Sequence, residues 1–186
     1  MRIVAGRHKG RRLAPPPEDS TIRPTSDRAR EALFDILTHA PWSPGLDQSR
    51  VMDLFAGTGA LGFEALSRGA AHVTFVEHSR VALGLLRQNA AHLGVSEQVT
   101  ILGVDVATLR APPAQPIDLA FLDPPYGKGL AAVGLARLRA PGWFAPEGVA
   151  IVETDIAEAW ITPEGWTQLD ERRYGKARLT MLRPNV

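Results

Sequence analysis

Cysteine is absent from this chain of 186 residues, so disulfides and thiolate metal sites are excluded. No apolar run approaches the roughly 20 residues needed to cross a bilayer. The opening, Met1-Arg2-Ile3-Val4-Ala5-Gly6-Arg7, lacks the apolar stretch of a signal peptide. Gly (17) and Pro (15) fall short of the share seen in collagen-like or disordered chains. What remains is an ordinary globular composition, 45% apolar and 22% charged, at a length of about one domain. The expectation is a cytoplasmic protein with no metal and no membrane partner.

Charge is nearly balanced overall at +1 but unevenly placed. Residues 1–30 hold eight Lys/Arg against three Asp/Glu, whereas residues 31–186 hold 13 against 17. A basic segment on a mildly acidic body suits a polyanionic partner; a solvated, frayed terminus would have the same composition. Residues 1–24 therefore read as a basic extension and residues 25–186 as the main domain. Within the extension, Met1–Val4 and Arg11–Leu13 can pair as short strands around Gly6–Gly10, before Pro15, Pro16 and Pro17 stop regular structure.

A helix is expected from about Asp27, capped by Thr25, Ser26 or Asp27, with Ala29, Ala32, Leu33, Ile36 and Leu37 on its apolar face. From residue 50 strands and helices alternate. Strands are expected at Val51–Phe55, Val73–Val76, Val99–Leu102, Ile117–Leu122 and Val149–Val152. Helices are expected at Ala60–Arg68, after Ser79, and near Leu130–Arg139. Gln168–Tyr174 and Ala177–Leu182 read as a hairpin around Gly175. Short apolar strands alternating with helices imply an α/β fold, a doubly wound and mostly parallel sheet covered on both faces. Such sheets bind ligands beyond the carboxyl ends of their strands.

Chemistry-bearing residues gather at those ends. The first strand runs into Asp53-Leu54-Phe55-Ala56-Gly57-Thr58-Gly59-Ala60-Leu61-Gly62, a G-x-G-x-x-G pattern, with Glu77 at the end of the second strand. Glu77 can accept hydrogen bonds from ribose hydroxyls. Asp53 suits a cationic neighbour better than a pyrophosphate, which favours a sulfonium cofactor over a dinucleotide; it can instead simply pin the N–H groups of the loop. Asp105, at the third strand end, can accept from an adenine amine with Val104 or Val106 over the ring, or can serve as a turn residue. The fourth strand ends in Asp123-Pro124-Pro125-Tyr126. Two prolines fix φ and remove two donors, leaving the Asp123 carboxylate and the Pro124 carbonyl as a rigid pair of acceptors for an NH₂ group. Tyr126 offers a face on which a base can stack.

Residues 50–155 resemble a class I S-adenosylmethionine-dependent methyltransferase, on Asp53–Gly59, Glu77, Asp105 and Asp123–Tyr126. A narrower likeness, to the bacterial 16S ribosomal RNA guanine-N2 methyltransferases, spans nearly the whole chain. It rests on Arg2–Gly6, Lys9–Leu13, the run from Arg23-Pro24-Thr25 to Leu37, the Gly-loop and Tyr174-Gly175-Lys176. The resemblance implies a Rossmann-like, seven-stranded sheet of methyltransferase order with the last strand antiparallel. It implies S-adenosylmethionine as cofactor, held by Asp53, Phe55, Ala56, Gly57, Thr58, Gly59, Glu77, His78, Asp105 and Val106. It also implies 16S rRNA as partner, within a small-subunit particle, and a monomeric enzyme.

On this reading Asp123 and the Pro124 carbonyl accept the two N–H bonds of a guanine N2 amine and aim its lone pair, and Pro125 and Tyr126 complete the catalytic corner. Asp123 or water takes the final proton. Arg2, Arg7, Lys9, Arg11, Arg12, Arg23, Arg28 and Arg30 would hold phosphates. The rivals are a DNA or RNA methyltransferase acting on adenine N6 or cytosine N4, an NAD(P)-dependent oxidoreductase on the same Gly-loop, and a non-catalytic RNA-binding protein.

Overall fold

The structure, a computed structural model, describes residues 1–16 and 27–185. Arg23, the caps Thr25 and Ser26, and the boundary drawn at residue 24 lie outside the described residues.

Helix α1 spans Asp27–His39, and the alternating region follows as β1 Arg50–Leu54, α2 Ala60–Ser67, β2 His72–Val76, α3 Arg80–Leu93, β3 Val99–Leu102, β4 Ile117–Leu122, α4 Leu130–Leu138 and β5 Phe144–Asp155. The hairpin β6 Trp166–Tyr174 and β7 Ala177–Pro184 closes the chain. Short 3₁₀ turns at Ser96–Gln98 and Val106–Thr108, too brief to carry a periodic signal, precede β3 and follow it. The seven strands lie in the order β3-β2-β1-β4-β5-β7-β6. All pairings from β3 to β5 are parallel, and β7 runs antiparallel between β5 and β6. This is the order and strand sense expected from the resemblance.

Alternation along each strand sorts the core into two layers. Val51, Phe75, Leu119, Phe121 and Ile151 face one side, with Phe34 and Leu37 of α1, Phe63 of α2 and Leu86 of α3. Met52, Leu54, Ala120, Leu122 and Val152 face the other, with Leu135 and Leu138 of α4. Strands buried on both faces lack polar alternation, which is why β4 could be bounded from its apolar run alone. β5 is longer than Val149–Val152. Its pairing with β4 shifts between Ile117 and Leu119, so that Phe144 and Val149 oppose near-neighbours. Pro146 and Gly148 sit in that irregular stretch and hide the strand's first half from a pattern reading.

The N-terminal segment is docked rather than trailing. Arg2 and Arg12 form an antiparallel bridge, with further main-chain bonds from Ile3 N–H to the Arg11 carbonyl and from Leu13 N–H to the Met1 carbonyl. Ile3 and Leu13 are buried in the first layer, while Arg2, Arg7, Lys9, Arg11 and Arg12 are exposed. The clamp beneath is Glu64 of α2, itself fully buried. Its carboxylate accepts from Val4 N–H at 2.8 Å, Ala5 N–H at 3.0 Å and Arg68 Nε at 2.8 Å.

Candidate active site

Strand β1 delivers the chain into a left-handed turn. Phe55 has φ +61°, a conformation that costs a non-glycine residue roughly 1 kcal/mol or more. Its ring leans on the second core layer and holds it there. Gly57 (φ +54°) and Gly59 (φ +80°) continue the turn into α2. Gly59 is the N-cap and has no side chain to offer α2. Asp53 supplies the missing cap from the strand: its carboxylate accepts the Gly62 N–H at 2.9 Å. Of the two readings of Asp53, the structure shows the pinning contact. Gly62 answers to packing, since a Cβ there would fall 2.3 Å from the Phe75 ring.

Asp53 is almost wholly buried. Burial pushes its carboxyl well above the usual range, the Gly62 bond opposes this, and the negative charges of Asp123 and Glu77 raise it further. Three carboxylates from three strand ends therefore bear on one place. Glu77, also buried, accepts from Gly57 N–H at 3.0 Å and from His78 and Ser79 N–H, both at 2.8 Å. That occupies three of its roughly four lone-pair positions. The His78 ring is exposed, with Nδ1 3.5 Å from Glu77. Asp105 caps the turn Val106–Thr108 by accepting the Ala107 N–H at 2.8 Å. Val106 is buried in the second core layer, so Val104, which is exposed, is the apolar surface left beside Asp105.

The corner after β4 is tied down on its far side. The Tyr126 hydroxyl donates to Glu153 at 2.5 Å, and the Gly127 N–H donates to Glu158 at 2.7 Å. Burial, then the bond to Glu153 and its charge, hold the Tyr126 phenol far above its ordinary value. Burial likewise raises the Glu153 carboxyl, against the Tyr126 bond. A cavity of about 20 Å³, room for one water, lies between this corner and the end of β5. A larger concavity of about 510 Å³ sits elsewhere, between the Val106–Thr108 turn and α4, beside Arg110 and Arg137. The three acidic strand ends mark the chemistry better than that volume does.

Glu153, Glu158, Glu64 and Asn89 were not anticipated from the sequence. Glu153 directly follows the expected strand Val149–Val152, where the strand-end rule points to it as it does to Asp123; in the structure β5 runs on to Asp155. Asn89 of α3, buried, accepts the Ala14 N–H at 2.8 Å and donates to the Thr58 carbonyl at 3.0 Å. Among the basic residues, Arg28 is exposed. Arg30 is a correction. It is wholly buried, 2.8 Å from Asp27 and 3.6 Å from Glu64, and donates to the Arg2 carbonyl, so no phosphate at the surface can reach it.

The strand order, with an acidic Gly-loop and an Asp-Pro-Pro-Tyr corner at adjacent strand ends, defines a class I methyltransferase. Comparison with known proteins makes this specific. The chain belongs to the family described as Conserved hypothetical protein 95, whose model matches residues 1–183. It is 40% identical over 178 residues to Ribosomal RNA small subunit methyltransferase D of Haemophilus influenzae, covering 94% of this chain and 89% of the relative. The Escherichia coli (strain K12) protein of the same name is 34% identical over 177 residues, with 95% and 86% covered. Among solved structures, Escherichia coli yhhF, assigned as a methyltransferase, superposes with a TM-score of 0.84 at 32% identity, covering 99% of this chain and 97% of that one. Haemophilus influenzae HI0767, assigned as a methylase, gives 0.78 at 36% identity, with 97% and 96% covered.

Proposed function

We propose that this enzyme methylates the exocyclic N2 amine of a guanine in small-subunit ribosomal RNA, with S-adenosylmethionine as donor. Relatives along nearly the whole chain carry the ribosomal RNA name, and the site chemistry supports the amine. The observation that carries the reading is the Asp123–Tyr126 corner beside the buried Asp53 and Glu77 carboxylates. Mutually repelling carboxylates suit a cationic ligand and oppose a pyrophosphate, which speaks against the dinucleotide reading.

The donor supplies an electrophilic methyl group on a sulfonium. Gly57 and Gly59 let the main chain approach it, Glu77 accepts from its sugar, Asp105 and Val104 flank its base, and Asp53 holds the loop in shape. The chain's own work falls on the amine. An aromatic amine is a poor nucleophile because its lone pair is delocalised into the ring. Asp123 and the Pro124 carbonyl accept its two N–H bonds, which draws the lone pair out of conjugation with the ring, localises it on nitrogen and aims it. Such positioning is worth up to about 7–11 kcal/mol. Acceptors fixed before reaction stabilise the positive charge that develops on nitrogen, and the Asp123 carboxylate can then take the proton.

The target base must leave its stack to reach this corner, and Tyr126 offers it a platform. Arg2, Arg7, Lys9, Arg11 and Arg12 form a basic face for rRNA phosphates, with Arg23 and Arg28 as further candidates. A monomer working in the cytoplasm on a small-subunit particle fits this reading; among the described residues no helix is long and apolar enough to cross a membrane. The test is Asp123→Ala. Transfer of tritiated methyl to rRNA should be lost while calorimetric affinity for S-adenosylmethionine is kept. Loss of donor affinity with turnover intact at saturation would overturn the assignment.

A further inference from the structure

Two acceptors on an NH₂ group do not identify the base that bears it. Adenine N6 and cytosine N4 satisfy Asp123 and Pro124 equally well. What sets guanine apart is the neighbouring ring atom. Beside its amine stands N1–H, a donor, whereas adenine and cytosine place a bare nitrogen lone pair next to theirs. Selecting guanine therefore calls for a third acceptor alongside the first two.

The sheet supplies one. Strands β4 and β5 are parallel and in register at Leu122 and Val152. Glu153 is the next residue of β5 and Asp123 the first residue beyond β4, on chains that leave the last pair roughly 4.8 Å apart. Phe121 and Ile151 face the layer that also receives Asp53 of β1; Glu153 continues that alternation along β5, and the charge of Asp123 bears on both Asp53 and Tyr126. Glu153 is already oriented, because its Oε1 takes the Tyr126 hydroxyl at 2.5 Å. A carboxylate has about four lone-pair positions, so Oε2 remains able to accept. The same bond holds Tyr126, so stacking platform and acceptor are fixed as a unit.

We infer that Glu153 is the specificity-determining residue that accepts the N1–H of the target guanine while Asp123 and Pro124 hold its amine. The inference rests on the guanine-N2 reading. It also gives the site a means of rejection, since adenine or cytosine would set a lone pair against the carboxylate.

The experiment maps the methylated guanine by primer extension on rRNA methylated in vitro. Guanine at that position in an RNA fragment is then compared with 2-aminopurine, which keeps the N2 amine but carries no hydrogen on N1. Wild-type kcat/KM should favour guanine by about 10–100-fold, the worth of a hydrogen bond to a charged group. Glu153→Gln keeps an oxygen for Tyr126 and turns an NH₂ toward the base. It should slow guanine at least tenfold and raise the rate on 2-aminopurine, and a misfolded variant cannot show that rise. Tyr126→Phe removes the hydroxyl that orients Glu153, so it should slow guanine more than 2-aminopurine and narrow their ratio. An unchanged ratio in Glu153→Gln would overturn the assignment of Glu153 alone. Methyl found by wild-type enzyme on another base, or on another atom of guanine, would overturn the guanine-N2 reading and this inference with it.

Discussion

Replacing Glu64 by alanine should loosen the N-terminal hairpin and lower the stability of the whole domain. The wild-type carboxylate is fully buried and serves the Val4 and Ala5 N–H groups and Arg68, with Arg30 3.6 Å away. Alanine leaves both N–H groups without that acceptor and strips one counter-charge from buried Arg30, which keeps Asp27. Removing one partner of a buried ion pair costs roughly 3–5 kcal/mol. Each orphaned N–H adds about 1–3 kcal/mol if water cannot reach it. These terms share atoms and are not additive, so about 4 kcal/mol is a reasonable total. In a domain of this size 1 kcal/mol moves Tm by about 2–4 °C, which gives a fall of roughly 8–16 °C. Glu64→Gln, which keeps an acceptor but loses the charge, should lie between. Thermal melts give the Tm values, and trypsin should cut at Arg7–Arg12 faster than the chain unfolds globally. A Glu64→Ala protein melting within about 2 °C of wild type, its hairpin still protected, would refute the clamp.

Lys9→Ala with Arg12→Ala leaves the buried Ile3 and Leu13 untouched. It should therefore weaken rRNA binding without unfolding, and the slope of log affinity against log salt should become shallower by about 1.4–1.8. An unchanged slope would remove both residues from the interface. Asp53→Asn tests the buried carboxyl through pH. Its pKa is raised in the folded state, so as pH climbs above the ordinary Asp value the unfolded chain releases a proton that the native state still holds, and wild-type stability falls. The stability of Asp53→Asn relative to wild type should thus grow with pH through that window in chemical denaturation, and a difference that shrinks with pH would contradict the sign.

Legibility of the fold followed burial. β4, packed on both faces, is bounded in the structure as its apolar run implied; β3 also keeps its expected bounds, although as an edge strand none of its residues is buried and the turn residues around it set its ends. β5 was read short because a bulge interrupts the pattern. The candidate site was legible where neighbours in sequence are neighbours in space: the Gly-loop, the Asp-Pro-Pro-Tyr corner and the Ser79 cap, which accepts the Ala82 N–H. It was illegible where partners meet across the chain. Arg30 looked like one more surface cation in a basic stretch, since nothing local discloses that Glu64 lies beside it. Glu153 is 27 residues from Tyr126, and only the register of two strands brings them together. Gly62 fitted a ligand-approach pattern, yet the Phe75 ring explains it.

Asn89 has a consequence for the order of events on the enzyme. One amide touches the exit of the basic hairpin at Ala14 and the Gly-loop at Thr58. A ligand that shifted the hairpin would bear on the Gly-loop through this amide and through Met1, whose Sδ lies 3.7 Å from the Thr58 hydroxyl. Linkage makes the traffic two-way: whatever factor rRNA contributes to donor affinity, the donor returns to rRNA affinity. With rRNA on the proposed hairpin face, these contacts would give each guest a route to report on the other.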